Sequence, residues 1–169
     1  MNWIMRVIYG KDGSVERELG IKLNRLQKEV INVGDCCRGI VVFGKQGRGV
    51  TTALRARVLW LAWKDKKRDI LFYGARFPAP GNVRFNGEVK CNTLVVIDDA
   101  DEIAEIDVME TMMASGGWII GGEYTGKESN QMLFRIYSGC DLQVEVLANT
   151  KRIVFQNNTV NTVGIRAIV

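Results

Sequence analysis

Apolar residues fall into short runs separated by turn signals, and the runs alternate between two spacings. WIMRVIY (Trp3–Tyr9) reads as a strand closed by the turn GKDG. In LNRLQKEVINV, Leu23, Leu26 and Val30 have helical spacing, and the segment ends near Gly34. GIVVFG (Gly39–Gly44) is short and does not alternate, as expected of a strand buried on both faces. Leu54, Val58, Leu61 and Ala62 then predict an amphipathic helix from Val50 to Lys64. DILFYGA is the next strand, followed by a loop that holds both prolines and a small hairpin around Asn86–Gly87. NTLVVIDDADEI is a further apolar strand that ends in acids. A helix is expected from about Glu102 to Ala114, then a strand in GGWIIGGEY and a helix in SNQMLFRIYSG. DLQVEVL, RIVFQ and VGIRAIV alternate as closing strands.

Strands that take turns with helices imply an α/β fold, a mainly parallel sheet flanked by helices on both faces. The closing strands would add antiparallel pairs at the C-terminal end. At 169 residues the chain fits a single domain, 1–169. Within it, residues 1–37 form an N-terminal strand and helix, 38–140 a nucleotide-binding core, and 141–169 the closing strands. Hydrophobic residues at 47% and charged residues at 25% suit a folded core without staples. No apolar run approaches the roughly 20 residues of a membrane span, and the first residues lack a signal-peptide pattern, so the expected location is the cytoplasm.

Charge and cysteine content narrow the chemistry. A net charge of +4 permits an anionic partner without demanding one. Lys64, Lys66, Lys67 and Arg68 cluster where the long helix should end, a position at which cations complement the helix dipole. Cys36, Cys37, Cys91 and Cys140 form no C-x-x-C pair and are expected as buried free thiols. The chain has no histidine, which removes Ser-His-Asp and Cys-His catalysis.

The strongest local signal is GKQGRGVTT, residues Gly44, Lys45, Gln46, Gly47, Arg48, Gly49, Val50, Thr51 and Thr52. Between a buried strand and a helix, it has the layout of a phosphate-binding loop, G-x-x-x-x-G-K-[ST], with Val50 in the lysine slot. Glycines let backbone N–H groups turn inward around phosphate oxygens, and the helix N-terminus adds its positive dipole end. Thr51 is placed to coordinate Mg²⁺ and Thr52 to bond an α-phosphate. Further on, LVVIDDADE puts Asp98 and Asp99 at a strand tip, as in a Walker B motif, where the first carboxylate serves the metal and the second the attacking water. The alternative is that Asp99 only caps the next helix. Glu123 and Thr125 end the following strand, either as a γ-phosphate sensor or as a surface turn. Lys45 and Arg48 are the loop cations available in place of the missing lysine, though a misplaced charge binds phosphate without accelerating its transfer.

These segments, with METMMASGGWIIGGEYTGKESNQMLFRIYSGCDLQVEVL, resemble the P-loop NTPases of the FtsK–HerA kind. That group includes DNA-translocating pumps, viral genome-packaging ATPases and the zonula-occludens-toxin-like assembly proteins of filamentous phages. The resemblance runs from about Gly39 to Arg152. It implies a RecA-like sheet, ATP or another NTP with Mg²⁺ as cofactors, and Asp98 as metal carboxylate. It also implies Asp99 in the catalytic carboxylate position and Thr125 near the polar sensor, while Lys45 stands at the second loop position, where some P-loop families place an additional signature lysine. The implied partners are nucleic acid and further copies of the chain in a ring, or other assembly proteins. Val50 departs from the pattern, and aspartate at position 99 is shorter than the usual glutamate. Secretion and pilus-retraction ATPases are the alternative family, and a non-hydrolysing scaffold with the same fold is the alternative function.

Overall fold

The unalternating runs become neighbouring strands of one sheet in the computed structural model, which describes residues 13–32, 39–44, 47, 49–103, 105–123, 143–145, 152–155 and 162–168. Helical residues 13–19 (α1) and Arg25–Asn32 (α2) precede Gly39–Gly44 (β1) and Val50–Lys64 (α3). Ile70–Tyr73 (β2), Val83–Phe85 (β3) and Leu94–Ile97 (β4) follow. A 3₁₀ turn at Ala100–Glu102 leads to Glu105–Ala114 (α4) and Gly117–Glu123 (β5). Gln143–Glu145 (β6), Arg152–Phe155 (β7) and Thr162–Ile168 (β8) close the described chain. The strand expected at 3–9 and the helix expected at 129–139 lie outside the described residues.

The sheet runs β3-β2-β4-β5-β1-β8-β7, with β6 also paired to β1. All described pairings are parallel except β7 with β8, so the expected antiparallel element sits at the C-terminal end. In register, Val41 faces Ile120, Val96 faces Ile119 and Leu71 faces Val95. Side chains alternate between the two sheet faces. Ile40, Val42, Ile70, Phe72, Leu94, Val96 and Ile119 pack with α3. Val41, Val95, Ile97 and Ile120 pack with Val108 of α4. Helices therefore cover both faces, as the apolar runs required.

Three expectations need correction. The region around Asn86–Gly87 is not a hairpin: β3 runs parallel to β2, and residues 86–93 contain no strand. Asn86 instead takes a left-handed conformation, φ 49°, and its amide bonds both the N–H and the carbonyl of Gly74 at 3.2 and 3.4 Å. Nor is α3 amphipathic. Its residues Ala53, Leu54, Ala56, Arg57, Val58, Leu59, Leu61 and Ala62 are all buried, because the sheet lies on one side and α1 and α2 on the other. Arg57 Nη1 donates to the carbonyl of Ile31 at 2.7 Å, serving one of the free carbonyls at the end of α2. Cys91, expected buried, is exposed.

The basic run does follow α3, but a neutral amide serves its carbonyls directly. Asn82 Nδ2 donates to the carbonyls of Ala62, Asp65 and Arg68 at 3.2, 3.2 and 3.1 Å. Beside it, Asp69 accepts from Arg84 Nε and Nη2 at 2.8 and 2.6 Å and from the Thr93 hydroxyl at 2.6 Å, joining the entries to β2, β3 and β4. Chiefly the Arg84 guanidinium, helped by Thr93, holds the Asp69 carboxyl down at about 2, against the effect of burial. A depressed carboxylate stabilises the fold above its unfolded value and loses that contribution as pH falls through about 2. Both partners are about a third exposed, so the pair contributes under about 1 kcal/mol. Urea midpoints of wild type and Asp69→Asn should differ at pH 6 and converge between pH 4 and pH 2. A gap independent of pH would remove the ion pair from the account.

Candidate functional site

The carboxyl ends of β1, β4 and β5 meet at one edge of the sheet. Gly44, where the glycine loop begins, is opposite Glu123 at the end of β5, and β5 separates β1 from β4. Asp98 immediately follows β4, and its N–H donates to the carbonyl of Tyr73 at 2.9 Å, which holds it against the end of β2.

The loop enters α3 through glycines that tolerate left-handed backbone. Gly49, the residue capping α3, has φ 84° and ψ 31°, a conformation that a β-carbon would strain. Its carbonyl accepts from the N–H of Ala53 at 3.0 Å, the first helical bond, and from Gln27 Nε2 at 3.2 Å. Gln27 is buried and tied down itself. Asn24 N–H donates to Gln27 Oε1 at 2.8 Å, and Gln27 N–H donates to Asn24 Oδ1 at 2.9 Å, a reciprocal capping box at the start of α2.

Thr51 stands in the first turn of α3, and its hydroxyl donates to Asp98 Oδ1 at 3.1 Å. The bond joins residues 47 positions apart. Asp98 is 4% exposed, and burial first, then the neighbouring Asp99 charge, raises its carboxyl to about 6. The Thr51 hydroxyl, the Arg55 charge and the Asp99 N–H act in the opposite direction. Asp99 is different in every respect. It is exposed, has φ 52° and ψ 45°, and makes no side-chain bond to the turn it precedes, so it is not acting as a helix cap. A non-glycine residue held left-handed beside a buried carboxylate is the kind of local strain that clusters at functional sites.

Val50 occupies the lysine slot as a half-buried residue packed into the core under α3. A β-carbon on Gly121 of β5 would lie 2.5 Å from Leu54 Cδ1 and 2.9 Å from Val50 Cγ1, so only glycine lets the first turns of α3 settle on β5. Thr52 is half-buried in that same turn. Lys45, Gln46, Arg48 and Thr125 lie outside the described residues.

Gln27 and Arg55 carry no local mark of a site in the sequence. The spacing N-x-x-Q at Asn24–Gln27 does mark a helix start, but its contact with Gly49 spans 22 positions and leaves no local trace. A separate groove of about 770 Å³ opens at the other end of α3, lined by residues including Arg17, Trp63, Lys66 and Asn82. It shares no residue with the loop or the acidic pair.

β5 lies between the strand that leads into a glycine loop and the strand that ends in two acids. That strand order, in a mainly parallel sheet flanked by helices, is the one expected of a RecA-like, P-loop NTPase-like fold. No protein-family model matches the chain, and no curated protein matches it. Among solved structures it is similar to PCH-2 of C. elegans, at 11% identity and a TM-score of 0.39, over 81% of this chain and 42% of that one. It is also similar to arterivirus nonstructural protein 10, a helicase solved with DNA, at 11% identity and a TM-score of 0.29, over 72% of this chain and 32% of that one. The chain thus spans less than half the length of either, and the fold is read from its own strand order.

The Thr51 hydroxyl and the Asp98 carboxylate are hard oxygen donors 3.1 Å apart, a donor pair that suits Mg²⁺. No group of three or more Asp, Glu or Cys side chains gathers among the described residues, so a cation here would complete its shell with water and phosphate oxygens. No helix among the described residues is long and apolar enough to cross a membrane.

Proposed function

We propose that the chain binds ATP or another NTP with Mg²⁺ and hydrolyses it slowly. The observation that carries this reading is the Thr51–Asp98 bond, which joins the first turn of the loop helix to the acidic strand tip across the intervening β5. Backbone N–H groups of the loop and the start of α3 would hold the phosphates. Thr51 and Asp98 would hold Mg²⁺, which would supply neutralisation of phosphate charge. Asp99, exposed and uncommitted to the turn, would orient water. Lys45 and Thr125 are the further candidates in the loop and after β5.

The wider role we propose is that of one subunit in a nucleic-acid packaging, translocation or phage-assembly motor, acting as a ring or with assembly partners. Its support is the resemblance of the loop, the acidic strand and the segment around β5 to FtsK–HerA-type NTPases. One observation favours a second reading, a nucleotide-gated or empty scaffold: Val50 fills its position with an apolar contact where a cation would act.

Thermal unfolding with and without Mg²⁺–ATP tests the first reading, because a ligand at a hundredfold its Kd stabilises by about 2.7 kcal/mol. Wild type should be stabilised by Mg²⁺–ATP, and Thr51→Val should lose the Mg²⁺-dependent part of that gain. Equal gains in both proteins would remove Thr51 as a metal ligand. No gain in wild type would leave the empty scaffold.

A further inference from the structure

The helix that begins at the loop carries a cation of its own, Arg55. Arg55 follows Thr51 by one turn of α3, so the two side chains share a face of the helix. Helical side chains lean toward the helix N-terminus, which directs the long Arg55 arm back to the level of Thr51 and Asp98. Its guanidinium carbon lies 5.4 Å from the centroid of the Phe77 ring, in the loop after β2. Stacking on a ring holds a guanidinium flat and leaves its edge donors open for the oxygens of a carboxylate or phosphate. The Arg55 charge also acts to lower the Asp98 carboxyl. Its Nε is buried with no hydrogen-bond partner among the described residues.

We infer that Arg55 receives the terminal phosphate of the bound nucleotide, from the helix side and within the same chain, in a site whose loop presents Val50 instead of a lysine. This rests on the nucleotide-binding reading above and adds a specificity to it: a triphosphate is preferred over a diphosphate because only the triphosphate reaches Arg55. The planar fork can take two phosphate oxygens at once, which a single ammonium does less well.

Titration calorimetry with Mg²⁺–ATP and Mg²⁺–ADP tests the assignment on wild type, Arg55→Met and the double variant Val50→Lys/Arg55→Met. Methionine keeps the packing on Phe77, and Arg55→Lys is a second variant that keeps the charge if methionine unfolds the protein. Arg55→Met should weaken ATP binding about tenfold or more, as expected for a lost charge-assisted bond, while leaving ADP binding within about twofold. Val50→Lys should restore the preference for ATP in the double variant by supplying a cation from the loop. Arg55→Met with the wild-type ATP-to-ADP ratio would overturn the assignment and leave the nucleotide-binding reading standing. Wild type that binds neither nucleotide would overturn both.

Discussion

Val50→Lys is expected to raise Mg²⁺-dependent phosphate release from ATP by about tenfold to a hundredfold, the scale on which one preorganised charge acts in phosphoryl transfer. Valine at this position packs into the core under α3, beside Gly121 and Leu54. A lysine keeps that contact through its aliphatic stem and carries an ammonium beyond it. The fold should therefore survive the change. On the proposed reading, backbone dipoles of the loop would hold the nucleotide in both proteins, so turnover should respond more than affinity. Steady-state phosphate release by the two proteins at saturating ATP decides the point. Tight binding without faster turnover would mean that Asp99 is not a working base, and the scaffold reading would take over.

Asp98→Asn should act in opposite directions on stability and on function. In the nucleotide-free protein, burial raises the Asp98 carboxyl to about 6 from its ordinary 3.8. A carboxylate raised in this way contributes stability below its unfolded value and loses it as pH rises through about 6. At pH 7.5 the ionised group therefore costs the fold on the order of 1–3 kcal/mol. Asparagine removes that charge and keeps a hydrogen-bond acceptor for Thr51, so the variant should unfold at higher urea than wild type at pH 7.5. The difference should shrink toward pH 4. The same substitution removes the proposed metal carboxylate, and Mg²⁺-dependent nucleotide binding should fall by about tenfold or more. A variant less stable than wild type at pH 7.5 would show that the charge is already compensated in the folded protein.

Much of this was readable from the order of residues because the relevant forces are local or repetitive. Runs such as Ile40–Val42 and Leu94–Ile97 have no polar face, and a strand without one belongs in the interior of a parallel sheet. The glycines before Val50 and the acids after Ile97 mark where the chain leaves those strands. The misreading of α3 has an equally physical origin. Arg55 and Arg57 look like solvent-facing positions, yet Arg57 is buried against the end of α2. Its burial depends on helices distant in sequence. Asn86–Gly87 misled for a related reason: asparagine accepts left-handed backbone readily, and here it uses that freedom to bind Gly74 across the sheet edge. Gln27 and Arg55 owe their place at the site to tertiary contact, which no window of neighbouring residues records.

The bond from Gln27 to Gly49 also decides how the loop can come apart. Gly49 offers one carbonyl to two donors, and one of those donors is fixed by the capping box that begins α2. Fraying the first turn of α2 therefore removes a support of the loop itself. Local openings in proteins occur as cooperative units rather than residue by residue. On the nucleotide-binding reading proposed above, the start of α3 and the capping box of α2 should therefore open together, and the order of Gly49 would depend on a helix outside the loop.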